Sequence, residues 1–419
     1  MESGTTDRQG SESGALTVVI PALDEEQAIG DTLRRCLEAR SRICSEGGVT
    51  RVEIVVVSDG SSDGTEAIAR SFDDVSVLAF DRNRGYGAAI KSGFRYRPSE
   101  LVAFLDADGT CDPVFFGPLS AACLDDGADL ALGNRMGPGS EMPRVRSVGN
   151  RIFAWILGVL SQKAVTDTAS GMRVIRQSAL GDLYPLPDGL HFTPAMSAKA
   201  LLSGNLTLVE IPMTYAERMG RSKLSVVKDG VRFLRCIIEA AMCFRPDRPL
   251  FLAAGVTALI GVLLSVGPLV TWVRSGALHE WMIYRVMASA LALTLSALLV
   301  NGAVVAARVA AEAHGRQTAG LSRWAGTLFS GRGRLVVGLT LGGAALAVSW
   351  PGLVEYVATG HVTMHWSRVV LSSLLIVVAS VIGITSFLLG MLELIQAQRG
   401  GELPSEQPDR VRAAGGGAP

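Results

Sequence analysis

The sequence has no Cys-x-x-Cys pair, no Gly-x-Gly-x-x-Gly turn behind its first apolar run and no Gly-x-x-x-x-Gly-Lys-Ser/Thr loop. These absences argue against a paired-cysteine metal site, a dinucleotide fold and a P-loop. Histidine is scarce, with five scattered residues, and no serine-hydrolase or zinc motif occurs; His191 reads as a helix-start or surface residue. Net charge is zero, 39 basic against 39 acidic residues, and no nucleic-acid partner is expected. The N-terminal stretch has no apolar segment of its own, so no signal peptide is read there. Its Gly/Ser/Thr content predicts a disordered leader over 1–14, and a Gly/Pro/Arg-rich composition predicts a disordered tail over 396–419. The six cysteines are expected to be free thiols.

Four long stretches free of Lys, Arg, Asp and Glu are present, at 249–273, 286–307, 335–354 and 369–392. Each reaches the roughly 20 residues a helix needs to cross a bilayer. The chain is therefore expected to be an integral membrane protein with a transmembrane domain over 249–395. The connection between spans two and three carries Arg308, Arg316, Arg323, Arg332 and Arg334, whereas no Lys or Arg stands between spans three and four before Arg368. Basic residues favour the cytoplasmic side, so the domain before span one and both termini are placed there.

Up to about Arg248 the chain mixes charges and apolar runs. Val/Ile/Leu runs at 16–20, 52–57, 75–80, 101–105, 130–132 and 206–211 alternate with helical patterns, which predicts a mostly parallel sheet buried on both faces. Ligands of such sheets bind beyond the carboxyl ends of the strands. Asp24, Asp59, Gly85 and Asp106 each follow a run and fall on one rim. In the stretch FLDADGTCDP, Asp106 and Asp108 read either as a solvated turn or as ligands of an oxygen-preferring divalent cation, their place on this rim weakening the turn, and Asp112, followed by Pro113, reads as a helix cap. An EF-hand is excluded because its twelfth position is Gly117. Downstream, TDTASGMR and ERMGRSKLS supply basic residues suited to phosphates. The segment 223–248 alternates apolar residues with Lys228, Arg232, Arg235 and Glu239, as an amphipathic helix on a bilayer would; packing on the domain is the other reading.

VVIPALDEEQAI, VVVSDGSSDGT, NRGYGAAIKSGF, LDADGTCDP, LALGNRM, VTDTASGMRV and ERMGRSKLS stand in the order seen in family 2 glycosyltransferases. The sequence resembles most the polyprenyl-phosphate branch typified by dolichyl-phosphate mannose synthase. The resemblance covers about 16–248 and implies a GT-A fold over 15–222, transfer of a hexose from a nucleotide sugar to polyprenyl phosphate, and Mg²⁺ or Mn²⁺ as cofactor. It implies that Pro21, Asp24 and Glu25 line the nucleotide pocket, that Asp59 holds the base or ribose, and that Asp106 and Asp108 bind the metal. Lys91 and Arg135 then belong to the nucleotide-sugar side. Arg173, Arg218, Ser222 and Lys223 belong to the acceptor phosphate, and Asp108, Asp167 and Arg218 to catalysis. A homo-oligomer is compatible with this membrane architecture.

Three departures from the family pattern are present. Asp24 replaces an Asn, Ser58 the first acid of Asp-Asp-Gly-Ser, and Met172 an aromatic. They leave the base and the sugar open. Two other readings are a transferase acting on another lipid such as diacylglycerol, whose alcohol would need a base, and a non-catalytic membrane scaffold.

Overall fold

The computed structural model describes residues 12–137, 140–218, 225–315, 320–323 and 332–400. The leader up to Ser11, residues 401–419 of the expected tail and the two expected phosphate ligands Ser222 and Lys223 lie outside the described residues, while residues 396–400, also expected in the tail, continue the last helix. The chain forms two compact units, one up to Arg245 and one from Pro246.

In the first unit the apolar runs become strands of a seven-stranded sheet. In chain order these are β1 (Glu12–Ala22), β2 (Arg51–Ser58), β3 (Val75–Ala79), β4 (Ser99–Leu105), β5 (Leu130–Asn134), β6 (Met172–Arg176) and β7 (Leu208–Pro212), and in space they run β3-β2-β1-β4-β6-β5-β7. β1 is parallel to β2 and β4, β2 to β3, and β5 to β7, while β6 runs antiparallel between β4 and β5. This is the mostly parallel sheet that the apolar runs predict. β6 is the strand the sequence pattern does not announce: MRVIR is short and carries a cation in its interior.

β1 also starts earlier than its apolar run. Glu12 already pairs with Ser99, and the Gly14 N–H donates to Glu100 Oε2 at 2.6 Å. Residues 12–14, expected in the leader, are therefore strand.

Helices α1 (Ile29–Gly47), α2 (Thr65–Arg70), α3 (Tyr86–Tyr96), α4 (Phe116–Leu124), α5 (Arg144–Ser161), α6 (Leu180–Leu183), α7 (Phe192–Ser203) and α8 (Val226–Phe244) complete this unit. Side chains alternate across a strand, and β1 divides accordingly. Leu16, Val18 and Ile20 join the core under α1 and α4, whereas Val19 joins the core with α3, α5, α7 and α8. α4 follows a short 3₁₀ turn, Pro113–Phe115, capped by Asp112, whose Oδ1 accepts from the Val114 N–H at 3.1 Å. That is the cap the sequence predicts.

The second unit holds α9 (Asp247–Ser275), α10 (Ile283–Ala313), α11 (Arg332–Thr359) and α12 (Trp366–Gly400). Windows within them have mean hydropathies of 2.3, 2.1, 1.5 and 2.5, and all four are long and apolar enough to cross a membrane. α9 and α10 approach closely through small residues. Ser289 Oγ donates to the Gly261 carbonyl and Ser296 Oγ to that of Ala254, each at 2.9 Å, the polar pairing expected where lipid offers no partner.

Candidate active site

β1, β2 and β3 step to one side of the sheet and β4 begins the other, so the strand order reverses between β1 and β4. Ligands of α/β sheets bind in the crevice beyond the strand ends at such a point. A cleft of about 510 Å³ opens there. Pro21 lies near the end of β1 and Glu25 follows it, Asp59 follows β2, Asp106 and Asp108 follow β4, Arg135 follows β5, and Arg218 lies beyond β7; all line the cleft.

The β2 side of the cleft is organised by backbone donors. Asp59 accepts the N–H groups of Arg84 at 2.6 Å and Gly85 at 2.9 Å, and burial outweighs these bonds to raise its pKa. Asp24 does not line the cleft. Its backbone is left-handed, with φ of 44°, a conformation that Asn and Asp tolerate better than most residues. Its Oδ1 accepts from the Ser62 N–H at 2.7 Å, so its part here is to shape the turn, contrary to the expected nucleotide contact. Lys91 is likewise turned away: Nζ pairs with Asp188 at 2.6 Å and donates to the Leu186 carbonyl at 2.7 Å.

At the centre, Asp106 Oδ1 accepts from the Tyr86 hydroxyl at 2.6 Å. Asp108 Oδ1 accepts from Thr110 Oγ1 at 2.7 Å, and its Oδ2 lies 3.3 Å from Arg218 Nη1. Arg218 also pairs with Glu25 at 2.5 Å. Burial, and then the negative charge of Asp108, push Asp106 up to about 7. A hard divalent cation would relieve that repulsion. Among the described residues no group of three or more His, Cys, Asp or Glu forms a metal cage. Mg²⁺-type ions need none, since one or two carboxylates plus substrate phosphates suffice. The two acids fit such an ion.

Asp167 and Arg173 sit behind this wall. Asp167 is completely buried and accepts from Arg135 three times: from its N–H at 3.1 Å, Nε at 2.7 Å and Nη2 at 2.8 Å. Asn150 Nδ2 adds a fourth bond at 3.1 Å. Burial alone would raise its pKa, but the Arg135 charge and hydrogen bonds hold it below the ordinary carboxylate range. Asp167 therefore fixes Arg135, which faces the cleft, rather than exchanging a proton itself. Arg173 is 0% exposed, and burial draws it down to about 10. It donates to the carbonyls of Ser170 at 3.1 Å and Thr168 at 2.9 Å. It clamps the 168–170 loop from beneath and has no face on the cleft, where the resemblance placed it beside the acceptor phosphate.

Several lining residues are not evident from the motifs. Tyr86 and Asn83 stand behind β3, and the Tyr215 ring lies 5.4 Å from the Arg135 guanidinium. Arg146, Asn150 and Phe153 of α5, with Gly230, Arg232 and Phe233 of α8, form the remaining wall. The sequence reading misses α5, and the signal that could have found it is a stripe: Val145, Val148, Ile152, Trp155 and Val159 recur at spacings of three and four, the repeat of one helical face. All five are exposed, Trp155 at 70%. α8 packs one face on the domain and leaves another face apolar and exposed. Phe233, Cys236, Ile237, Ala240 and Ala241 are buried in the domain core, while Val227, Val231, Leu234, Ile238 and Met242 are exposed.

Residues 17–184 match the model of the family described as Glycosyl transferase family 2. A dolichyl-phosphate hexose transferase of Haloferax volcanii is 32% identical over 54% of this chain and 94% of its own length. A polyprenol monophosphomannose synthase of Mycolicibacterium smegmatis is 31% identical over 50% of this chain and 80% of its own. A solved structure of glucosyl-3-phosphoglycerate synthase from Mycobacterium tuberculosis covers 55% of this chain and 79% of its own, with 20% identity and a TM-score of 0.45.

Proposed function

This chain belongs to glycosyl transferase family 2, in its polyprenyl-phosphate branch, and from that premise we propose that it moves a hexose from a nucleotide sugar to a polyprenyl phosphate at a membrane surface. The observation that carries this reading is one cleft that gathers paired acids, fixed arginines and an exposed apolar wall. A nucleotide sugar brings its diphosphate to Asp106 and Asp108, with Asp59 on the side of the base or ribose. A bound Mg²⁺ or Mn²⁺ would neutralise charge developing on the departing nucleoside diphosphate.

The chain's own groups do the rest. Arg135, locked by Asp167, offers a cation that needs no reorganisation as charge develops. Arg218 exchanges its contacts with Glu25 and Asp108 for phosphate oxygens. Arg146 and Arg232, on the α5 and α8 side of the cleft, meet an acceptor phosphate, with Ser222 and Lys223 as further proposed ligands. A phosphate monoester with a second pKa near ~6 is already ionised at neutral pH, so its oxygen attacks the anomeric carbon without a protein base and inverts it. A diacylglycerol acceptor would need that base, and Asp167, the acid in question, has its oxygens committed to Arg135 and Asn150.

The exposed stripes of α5 and α8 are proposed to lie in the headgroup region of the bilayer. The catalytic unit and both ends of the chain are then cytoplasmic, by the basic residues of the 308–334 connection. Membranes containing the protein, given labelled UDP- and GDP-hexoses, polyprenyl phosphate and Mn²⁺ or Mg²⁺, are expected to form a solvent-extractable glycolipid. No product from any of these donors would overturn the proposal.

A further inference from the structure

We propose that Tyr86 is a positioning residue that fixes the carboxylate of Asp106 for a divalent cation, an inference that rests on the family 2 reading of the cleft. Tyr86 opens α3 and lines the cleft. Its hydroxyl donates to Asp106 Oδ1 at 2.6 Å. The ring is aimed by packing: it stands edge-on to Phe104 of β4, with centroids 6.4 Å apart, and Phe104 stands edge-on to Phe192 of α7 at 5.9 Å. A phenol, with an ordinary pKa of about 10, is a hydrogen-bond donor at neutral pH.

The backbone around Tyr86 is pinned on two sides. The N–H groups of Arg84 and Gly85, immediately before it, are held by Asp59. The Gly87 N–H, immediately after it, donates to the Asp188 carbonyl at 2.7 Å, and Lys91 holds the Asp188 side chain. On its other flank Asp106 lies against Gly171, where an added Cβ would stand 1.8 Å from Oδ2. One oxygen of Asp106 is thus held by a phenol and the other is confined by a glycine. A site with only two protein carboxylates depends on their direction, since substrate phosphates must supply further ligands. Packing against Phe104 would be met equally by phenylalanine; the hydroxyl is what reaches the acid.

Hydrogen-bond partners of ligating groups typically account for about 10- to 100-fold in metal affinity. In the detergent-solubilised full chain, Mn²⁺ binding is read from the loss of the free-ion paramagnetic resonance signal, with UDP present in one series and GDP in another. Tyr86→Phe is expected to weaken Mn²⁺ by about 10- to 100-fold, with melting temperature and metal-free nucleotide affinity unchanged. Mn²⁺ affinity within about twofold of the unaltered protein would overturn the inference, as would a melting temperature that falls along with it, the mark of a packing role. Asp108→Ala separates the two levels. If it loses Mn²⁺ and Tyr86→Phe does not, only the Tyr86 inference fails; if it retains Mn²⁺, the metal reading of the cleft fails and the Tyr86 inference with it.

Discussion

Arg135 and Asp167 share three hydrogen bonds across 32 positions of sequence, and that pair separates two roles for one carboxylate. If Asp167 were a base, Asp167→Asn would abolish turnover and leave stability alone. As the partner of a buried guanidinium it should lower stability, with turnover falling only through the loosened Arg135. Breaking a buried ion pair by removing one charge costs about 3–5 kcal/mol, so the Asn variant is expected to show a clearly lower unfolding midpoint in the solubilised chain. The pair also has a defined pH window. The folded-state pKa of Asp167 is depressed, so the stabilisation is present above the unfolded value of about 3.9 and is lost as pH falls through the folded one. Unfolding midpoints from pH 7 down to 5 should carry no loss from this pair. Gly171 yields a second prediction at the same scale. A methyl group there must displace Asp106, and a misplacement of about 1 Å can reduce rate on the order of 100-fold. Gly171→Ala should therefore lose activity by about that factor, read from initial rates at saturating Mn²⁺.

Among the elements, α5 and α8 carry a prediction of their own. Their exposed apolar stripes border the same cleft through Phe153 and Phe233, whose rings meet at 5.9 Å. A fully buried large apolar side chain contributes about 1.5–3 kcal/mol. Trp155→Asp is therefore expected to raise KM for a long-chain polyprenyl phosphate by about 10- to 100-fold, and to leave KM for the nucleotide sugar and the melting temperature unchanged. An equal rise for a short, water-soluble acceptor phosphate would contradict a lipid contact.

The same elements mark what the sequence makes legible. Strands β1, β2 and β4 are readable because burial on both faces demands continuous Val, Ile and Leu. The acids behind them are readable because they end those runs. β6 is hidden because its pattern is broken by Arg173, a cation whose partners are backbone carbonyls of its own loop. Asp24 misleads for a different reason: its side chain direction is set by a left-handed backbone, which no spacing reveals. Tyr86 is visible as a letter in NRGYG, but its bond to Asp106 joins residues behind two different strands.

The whole molecule has a sidedness that its loops predict. Among the described residues four helices of transmembrane length follow the catalytic unit, and an even number of crossings returns the chain to the side it left. Arg308 and Arg323 belong to the connection after the second crossing, whereas the turn between α11 and α12 holds His361 and His365 but no Lys or Arg. Orientation follows the Lys and Arg of short loops, so the 308–334 connection should share a side with the catalytic unit and the 360–365 turn should face the other. Two single-cysteine proteins, one with cysteine at the exposed Leu321 and one at Thr363, test this in sealed vesicles of known orientation, all six native cysteines having been replaced. In right-side-out vesicles a membrane-impermeant maleimide should label the cysteine at 363 and spare that at 321 until detergent is added. Donor sugar supplied from outside should then be used only after permeabilisation. Labelling at 321 in intact vesicles would reverse the orientation, and the nucleotide sugar would have to be present on the outer face for the reaction to proceed.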